Sequence, residues 1–508
     1  MSVQTYDADL RSTQQARDLA VRAREAQRAF QFAAQEDVDR ICAAMADAAA
    51  QHALRLGQLA HDETGYGRPE HKRIKNEFAA RAVWDSIKDV KTCGVLRNDT
   101  ERKVVEIGWP VGVVVALTPS TNPTSTAIFK ILISVKARNA CIVAPHPSAL
   151  NCTEAAVRVM IEAGEAAGMP PGLVSCLTEI ALSGTNELMN HYATSLILAT
   201  GGPGMVKAAH SVGKPALGVG PGNVPAYVDR SADLVKAASD IVDSKSFDCS
   251  TICATEQAVI ADRPIAAELR SLMEARGAHW LSASEAKILG DTMFRPNGMM
   301  LAEYVGRTPQ AIGTLAGFSV PESAKILVAD LTGVGPAHPL SREKLTTVLG
   351  FMVEDGWRAG CERAVQMLTF GGDGHSMVIH SRDEESILAF GIEKPAFRIL
   401  VNTWGSLGGI GATTGLMPSL TLAPGGIGGA VVSDNITVHH LLNVKRLAYQ
   451  VREPPPGARL GDAAGVGSGS ASMSGGTSNG TNGTNRASTA DIATIEKLVR
   501  MVLDEMKG

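Results

Sequence analysis

The sequence has few aromatic residues, no large excess of charge of either sign and no long apolar run. Phe, Trp and Tyr make up 4% of its 508 residues, which argues against a surface that stacks on single-stranded nucleic acid. The formal net charge is -4, so no basic patch for nucleic acid is indicated. No apolar run approaches the roughly 18 residues of a membrane span. We therefore expect neither nucleic acid nor membrane as a partner.

The eight cysteines lack the spacing of a disulfide framework, and no Cys-x-x-Cys pair is present for zinc or thiol redox chemistry. The first nine residues are acidic and lack the apolar core of a secretory signal. These features predict a cytoplasmic protein with reduced thiols and no bound metal. The length predicts two or three domains.

Residues 1–230 read as N-terminal helices followed by an α/β domain. Residues 7–61 are Ala-rich with an apolar stripe, and the helical pattern continues to about Ile87. Buried strands then alternate with helices. The strands are expected at 111–118, 140–145, 173–177 and 196–200. This alternation predicts a doubly wound, Rossmann-type parallel sheet.

The same alternation restarts after residue 230 and predicts a second α/β domain over 231–428, with a weaker pattern in 278–325. We assign 429–456 to a return segment with a small β oligomerisation element. Its expected parts are a strand at 429–432, a helix at 437–445, and a sheet edge at 430–436 that pairs with another subunit.

The C-terminal region changes character twice. Residues 457–487 are mostly Gly, Ser, Thr, Asn and Ala, which predicts a flexible linker. Residues 488–508 begin with a Ser-x-x-Asp cap and place six apolar side chains within an arc of about 100°, which predicts an amphipathic helix. A docking peptide is favoured over a helix folded back on the body or a coiled-coil tail.

Two segments are candidates for chemistry. The stretch 247–257 carries Cys249 and Cys253 between a helix and a strand, where a nucleophilic thiol finds free backbone N–H groups. Two buried structural thiols are the alternative. The Gly-rich turn 201–204 follows a strand and precedes a helix, a place suited to phosphate, although it is not a G-x-G-x-x-G motif.

Several motifs together resemble the coenzyme A-acylating aldehyde dehydrogenases. They cover about residues 10–450 in the same order and are similar both to the aldehyde dehydrogenase half of bifunctional aldehyde–alcohol dehydrogenases and to the acylating enzymes of bacterial microcompartments. The matching stretches are 118–130, 144–147, 200–209, 218–223, 249–257 and 418–422. No alcohol dehydrogenase half is expected. The segment 488–508 is similar to microcompartment encapsulation peptides.

The resemblance implies a fold and a set of roles. The fold would be aldehyde dehydrogenase-like, with two Rossmann-type domains. Cys253 would be the nucleophile, Asn122 would donate a hydrogen bond to the thiohemiacetal oxygen, and His375 would assist proton transfer or coenzyme A. A turn histidine that caps a strand is an equal alternative for His375. The residues implied for the cofactor are Thr118, Pro119, His146, Thr200, Gly201, Gly202, Gly204, Gly220 and Glu343.

Two departures from the hydrolytic aldehyde dehydrogenases are informative. Their general-base Glu falls within 218–222, where this chain has no carboxylate. A thioester would then survive until coenzyme A takes the acyl group. His146 stands where they carry Lys, which leaves the choice between NAD and NADP open.

The resulting hypothesis is a microcompartment enzyme that converts acetaldehyde or propionaldehyde, coenzyme A and NAD⁺ to acyl-CoA and NADH. A homodimer or homotetramer is expected, with 488–508 docking on shell or cargo proteins. One alternative is a hydrolytic enzyme with Glu256 as base. The other is a non-catalytic cargo or scaffold protein.

Overall fold

The structure is a computed structural model that describes residues 7–455 and residue 458. Residues 7–449 form one compact unit, and the described residues from 450 onward belong to a second. The described residues of the second unit contain no helix or strand. The predicted linker, apart from Ala458, and the predicted C-terminal helix lie outside the described residues.

Five helices open the first unit, as the Ala-rich pattern predicts. The first buries a stripe of residues three and four apart, among them Ala16, Leu19 and Ala23, the pattern of a helix packed on a core. A π-helical segment, Phe78–Ala82, joins the last two. The helices are α1 (Ala8–Phe30), α2 (Gln35–Gln51), α3 (Ala53–Thr64), α4 (Pro69–Glu77) and α5 (Val83–Ile87).

Residues 95–219 contain two strands of a small sheet and then a complete five-stranded parallel sheet with its helices. In chain order they are β1 (Val95–Asp99), β2 (Val104–Pro110), β3 (Val113–Leu117), α6 (Pro123–Lys136), β4 (Ala140–Ala144), α7 (Leu150–Ala166), β5 (Val174–Cys176), α8 (Leu182–Asn190), β6 (Thr194–Thr200), α9 (Pro203–Ser211) and β7 (Ala216–Val219). All residues of β3 and β4 are buried, which explains their uninterrupted apolar runs.

The strand order of this sheet is β5-β4-β3-β6-β7, and all neighbours are parallel. The chain therefore builds outward from β3 in one direction and then, from β6, in the other. A crevice opens at the carboxyl ends of the two strands where such an order reverses. The loops that leave β3 and β6 at this point are 118–122 and 201–202.

Residues 224–401 form a seven-stranded parallel sheet, in the order β10-β11-β12-β9-β8-β13-β14. Its elements are β8 (Val224–Val228), α10 (Leu234–Ser246), β9 (Glu256–Asp262), α11 (Ala266–Arg276), β10 (Ala278–Trp280), α12 (Ala283–Thr292), α13 (Pro309–Ala316), β11 (Ile326–Asp330), β12 (Val348–Glu354), α14 (Gly356–Gly371), β13 (Met377–His380), α15 (Glu384–Glu393) and β14 (Ile399–Val401). The two parallel sheets confirm the predicted α/β class.

The end of the first unit differs from the sequence prediction. The short helix α16 (Gly405–Gly409) is followed by a 3-10 turn at Val438–Leu441 and by strand β15 (Leu442–Ala448). The helix predicted at 437–445 is therefore wrong, because β15 pairs antiparallel with β2 over its whole length. The strand predicted at 429–432 is also absent, and Val431 there is 81% exposed.

The small sheet has the order β1-β2-β15, so β15 is an edge strand. The edge that was predicted at 430–436 thus lies instead at 442–448.

No helix in the described residues is long and apolar enough to cross a membrane.

Candidate active site

The predicted nucleophile loop connects α10 to β9 through an unusual backbone. Asp248, Cys249 and Ser250 have φ values of 46°, 51° and 64°, three consecutive left-handed residues that each carry a side chain. Such conformations cost free energy and persist only where surrounding contacts hold them. Cys249 is buried, whereas Cys253 is only partly buried.

A cavity of about 310 Å³ opens beside Cys253. It lies where the carboxyl ends of β3, β6 and β7 in the first sheet face the loops that enter β8 and β9 of the second. Nine of the twelve predicted site residues line it. They are Pro119, Asn122, His146, Thr200, Gly201, Gly202, Gly220, Cys253 and Glu343. Residues that the sequence separates by up to 224 positions thus share one space.

The other three predicted residues do not line this cavity. Thr118 is fully buried, and its N–H donates to the Ala144 carbonyl at 3.2 Å. Gly204 is the second residue of α9. His375 lies behind Gly222, where a Cβ would come within 3.0 Å of its Nδ1 and 2.3 Å of the Cys253 carbonyl oxygen.

The side chain of His375 is buried. Burial lowers its pKa to about 3, so the imidazole is neutral at physiological pH. Its Nδ1 is within 3.0 Å of Ser376 Oγ, while Nε2 has no hydrogen-bond partner among the residues that the structure describes.

An apolar wall completes the cavity, and most of it was missed in the sequence. Its residues come from distant segments and follow no common spacing. They include Tyr66, Met300, Val305, Leu345, Ile410, Leu420 and Leu422. Leu420 and Leu422 lie in the stretch 418–422, which matches a family motif, but no role was predicted for them. The other five residues belong to local patterns that are typical of ordinary core packing, so the sequence held no signal for them.

Among the described residues, Glu343 is the only carboxylate that lines the cavity. Its Oε1 accepts a hydrogen bond from Gly222 N–H at 2.8 Å. Burial raises the pKa of Glu343 to about 7, although the Gly222 N–H and Lys245 oppose that rise. Burial and the negative charge of Glu343 together raise the pKa of the Cys253 thiol to about 12. Burial is the larger of these two causes, and the charge of Glu343 adds to it.

The Asn122 side chain is fixed on both sides. Its Nδ2 donates to the Thr251 carbonyl at 2.9 Å and to Thr121 Oγ1 at 3.2 Å. Its Oδ1 accepts from Lys75 Nζ. Donation to a substrate oxygen would replace the longer bond to Thr121.

Comparison with known proteins identifies the family. Residues 4–284 match the model of the aldehyde dehydrogenase family. The chain belongs to that family. It is 41% identical to the bifunctional aldehyde-alcohol dehydrogenase of Escherichia coli (strain K12) over 85% of this chain and 49% of that protein. The chain thus spans about half the length of the first curated relatives that it matches.

Solved structures support the same assignment. An acetylating aldehyde dehydrogenase from Geobacillus thermoglucosidasius is 49% identical, with a TM-score of 0.87 over 89% of this chain and 100% of that one. A propionaldehyde dehydrogenase from Rhodopseudomonas palustris, solved with bound CoA and an acylated cysteine, is 26% identical, with a TM-score of 0.78 over 85% of this chain and 97% of that one. The predicted resemblance and fold are confirmed.

Proposed function

We propose that this protein is a coenzyme A-acylating aldehyde dehydrogenase that oxidises a short aliphatic aldehyde with NAD⁺. The observation that carries the proposal is the shared cavity, in which Cys253 faces the loops expected to hold a dinucleotide. A cavity wall rich in aliphatic side chains, including Met300, Val305 and Leu345, favours a small apolar substrate such as acetaldehyde or propionaldehyde.

In the proposed reaction, the thiolate of Cys253 attacks the aldehyde carbon and forms a thiohemiacetal. Its oxygen receives hydrogen bonds from Asn122 Nδ2 and from the Cys253 backbone N–H. Loss of hydride from the former aldehyde carbon, for which bound NAD⁺ would be the acceptor, leaves an acyl thioester on Cys253. The sulfur of coenzyme A then attacks the thioester carbon and forms acyl-CoA. The bond from that carbon to Cys253 Sγ breaks, and the departing Cys253 sulfur takes up the proton that the coenzyme A thiol gives up.

The residues at the crevice suit a dinucleotide. The turn that begins α9 contains Gly201 and Gly202, with open space beside Gly202 where a Cβ would stand, so a phosphate can approach the backbone. His146 is proposed on the adenosine side and Glu343 on the nicotinamide ribose. When bound, NAD⁺ would supply the hydride acceptor. The preference for NAD over NADP is part of the proposal.

The positions of the carboxylates near Cys253 favour acylation over hydrolysis, because hydrolysis of the thioester needs a base that activates water. Glu256, considered above as a base for hydrolysis, is fully buried. Its oxygens accept from Gly405 N–H and Ser244 Oγ, each at 2.6 Å, and it does not line the cavity. These contacts weigh against Glu256 as the base for hydrolysis. Among the described residues that line the cavity, only Glu343 would remain as a base, and we assign it to the cofactor.

We also propose a homodimer or homotetramer joined at the edge strand β15, and a location inside a bacterial microcompartment, with 488–508 docking on shell or cargo proteins. Deleting 457–508 should leave kcat and KM unchanged but abolish co-purification with shell particles. Loss of catalysis on deletion would contradict a role of 488–508 in docking alone. It would also contradict the alternative of a non-catalytic cargo or scaffold protein, because such a protein has no catalysis to lose.

The function is tested by NADH formation from propionaldehyde with and without coenzyme A, with the product identified by mass. We expect propionyl-CoA, formed only when coenzyme A is present. Free propionate formed at an equal rate without coenzyme A would place the enzyme in the hydrolytic class, and Glu343→Gln would then test that carboxylate as the base.

A further inference from the structure

A buried ionic cluster lies directly behind the candidate active site. It consists of Lys72 and Lys75 on α4 and Asp248 on the nucleophile loop, with exposures of 2%, 2% and 0%. Two ammonium groups and one carboxylate leave the cluster with one excess positive charge. Burying that charge is costly unless hydrogen bonds compensate for it.

The Asp248 carboxylate is saturated with donors. Its Oδ1 accepts from Arg68 N–H at 2.7 Å. Its Oδ2 accepts from Thr251 Oγ1 at 2.7 Å, from Lys72 Nζ at 3.2 Å and from Lys75 Nζ. Burial tends to raise the pKa of Asp248, but the two lysines lower it to about 2, so it stays ionised. These bonds hold its left-handed backbone in place.

Lys75 uses all three of its N–H donors on groups beside the cavity. They point to Asp248 Oδ2, to Thr251 Oγ1 at 3.1 Å, and to Asn122 Oδ1. Lys72 is different, because it donates to the Thr121 carbonyl at 3.1 Å and to Asp248. Of the two lysines, only Lys75 therefore contacts the Asn122 carboxamide.

This contact determines which way Asn122 points. A lysine ammonium has donors and no acceptor, so the amide oxygen must face Lys75 and the NH₂ group must face Thr251 and the cavity. A charged donor on the amide oxygen also polarises the amide and strengthens its N–H donors. Lys75 thus contacts Asn122 from behind and does not itself line the cavity.

We propose that Lys75 is a positioning residue that orients and polarises Asn122 for stabilisation of the thiohemiacetal oxygen, with Asp248 holding Lys75 in place. This inference rests on the proposed function. It extends the site to a residue on α4 that neither the motifs nor the cavity lining identifies.

The test is a double-mutant cycle of Lys75→Met and Asn122→Ala, with kcat and KM measured for propionaldehyde oxidation. We expect kcat to fall about 100-fold in Asn122→Ala and roughly 10-fold or more in Lys75→Met, the range found when an oxyanion donor is lost or weakened. KM for NAD⁺ should stay unchanged. Because Lys75 acts through Asn122, the double variant should be no slower than Asn122→Ala.

Lys136→Met is the matched control. Lys136 is also fully buried and pairs with an aspartate, Asp39, but at the far end of α6 from Asn122. We expect this variant to lose stability while keeping its kcat. Two outcomes would overturn the proposal. One is that the losses of kcat multiply in the double variant, and the other is that Lys75→Met and Lys136→Met lose kcat equally.

Lys75→Met leaves Asp248 paired with Lys72, so the cluster becomes neutral and the variant is expected to fold. If it does not, Lys75→Gln removes the charge but keeps a donor and enters the same cycle. A second readout needs no activity: hydrogen exchange of the peptide containing Thr251 and Cys253 should become faster in Lys75→Met but not in Lys136→Met. Absence of aldehyde oxidation in the unmodified enzyme would refute the proposed function alone, whereas unchanged exchange in Lys75→Met would refute the positioning role.

Discussion

Glu343 and Gly222 fix the geometry beside the candidate nucleophile. The Gly222 N–H donates to Glu343 Oε1 at 2.8 Å, and a Cβ on Gly222 would come within 2.3 Å of the Cys253 carbonyl oxygen. The glycine therefore links the carboxylate of the cavity to the backbone of the thiol residue. Both the charge of Glu343 and the missing side chain of Gly222 should have measurable consequences.

Glu343→Gln should shift the pH dependence of Cys253 alkylation by iodoacetamide to lower pH. The negative charge of Glu343 contributes to the raised pKa of the thiol, so neutralising it lowers that pKa, while the Gln oxygen still accepts from Gly222. The same variant should raise KM for NAD⁺ if Glu343 binds the ribose. A shift of the alkylation profile to higher pH would contradict this account.

Gly222→Ala should destabilise the protein by about 1–3 kcal/mol, the usual cost of overpacking, and lower kcat, because the added methyl group displaces the Cys253 backbone. Gly220→Ala is the control for stability, since no heavy atom of the described residues, apart from Gly220 and its two chain neighbours, lies within 4 Å of a Cβ at that position. Thermal unfolding of the two variants checks the difference. Equal melting temperatures would show that the loop adjusts freely.

Cys253→Ser should lower the rate of acyl-CoA formation by at least about 10⁴-fold, as expected for loss of a covalent nucleophile. Cys249→Ser is the matched control, because Cys249 is buried and its thiol does not line the cavity. Its rate should stay close to that of the unmodified enzyme. Retained activity in Cys253→Ser would contradict the assignment of Cys253 as the nucleophile.

Glu256→Gln should flatten the pH dependence of stability. Burial raises the pKa of Glu256 to about 7, so the folded state binds this proton more tightly than the unfolded state does. The resulting stabilisation is full below the unfolded pKa and is lost as pH rises through about 7, with a size on the order of 3 kcal/mol. Melting temperatures of both proteins from pH 5 to 8 test this, and parallel curves would contradict it.

Local patterns predicted much of the fold. Buried strands such as β3 and β4 carry uninterrupted β-branched and apolar runs, and α1 carries its stripe within a few turns. The helix predicted at 437–445 failed because the pairing of β15 with β2 joins segments more than 300 residues apart. The sequence of β15 alone does not indicate that it pairs with β2.

The residues of the candidate site were also predicted only in part from the sequence. The Gly201 turn and the Cys253 loop were predicted from their own residues, and Asn122 was predicted from the resemblance to the family. Lys75 was not, because its contact with Asp248 spans 173 positions and a lysine on a polar helix is usually exposed to solvent. Only the packing of α4 on the nucleophile loop reveals it.

The most direct test of the central claim is to trap the acyl-enzyme. The protein is incubated with propionaldehyde and NAD⁺ without coenzyme A, quenched in acid, digested and analysed by mass spectrometry. We predict a propionyl group on the peptide that contains Cys253, and its rapid loss as propionyl-CoA when coenzyme A is added before the quench. An acyl group on another residue, or one that water removes as fast as coenzyme A does, would contradict the account.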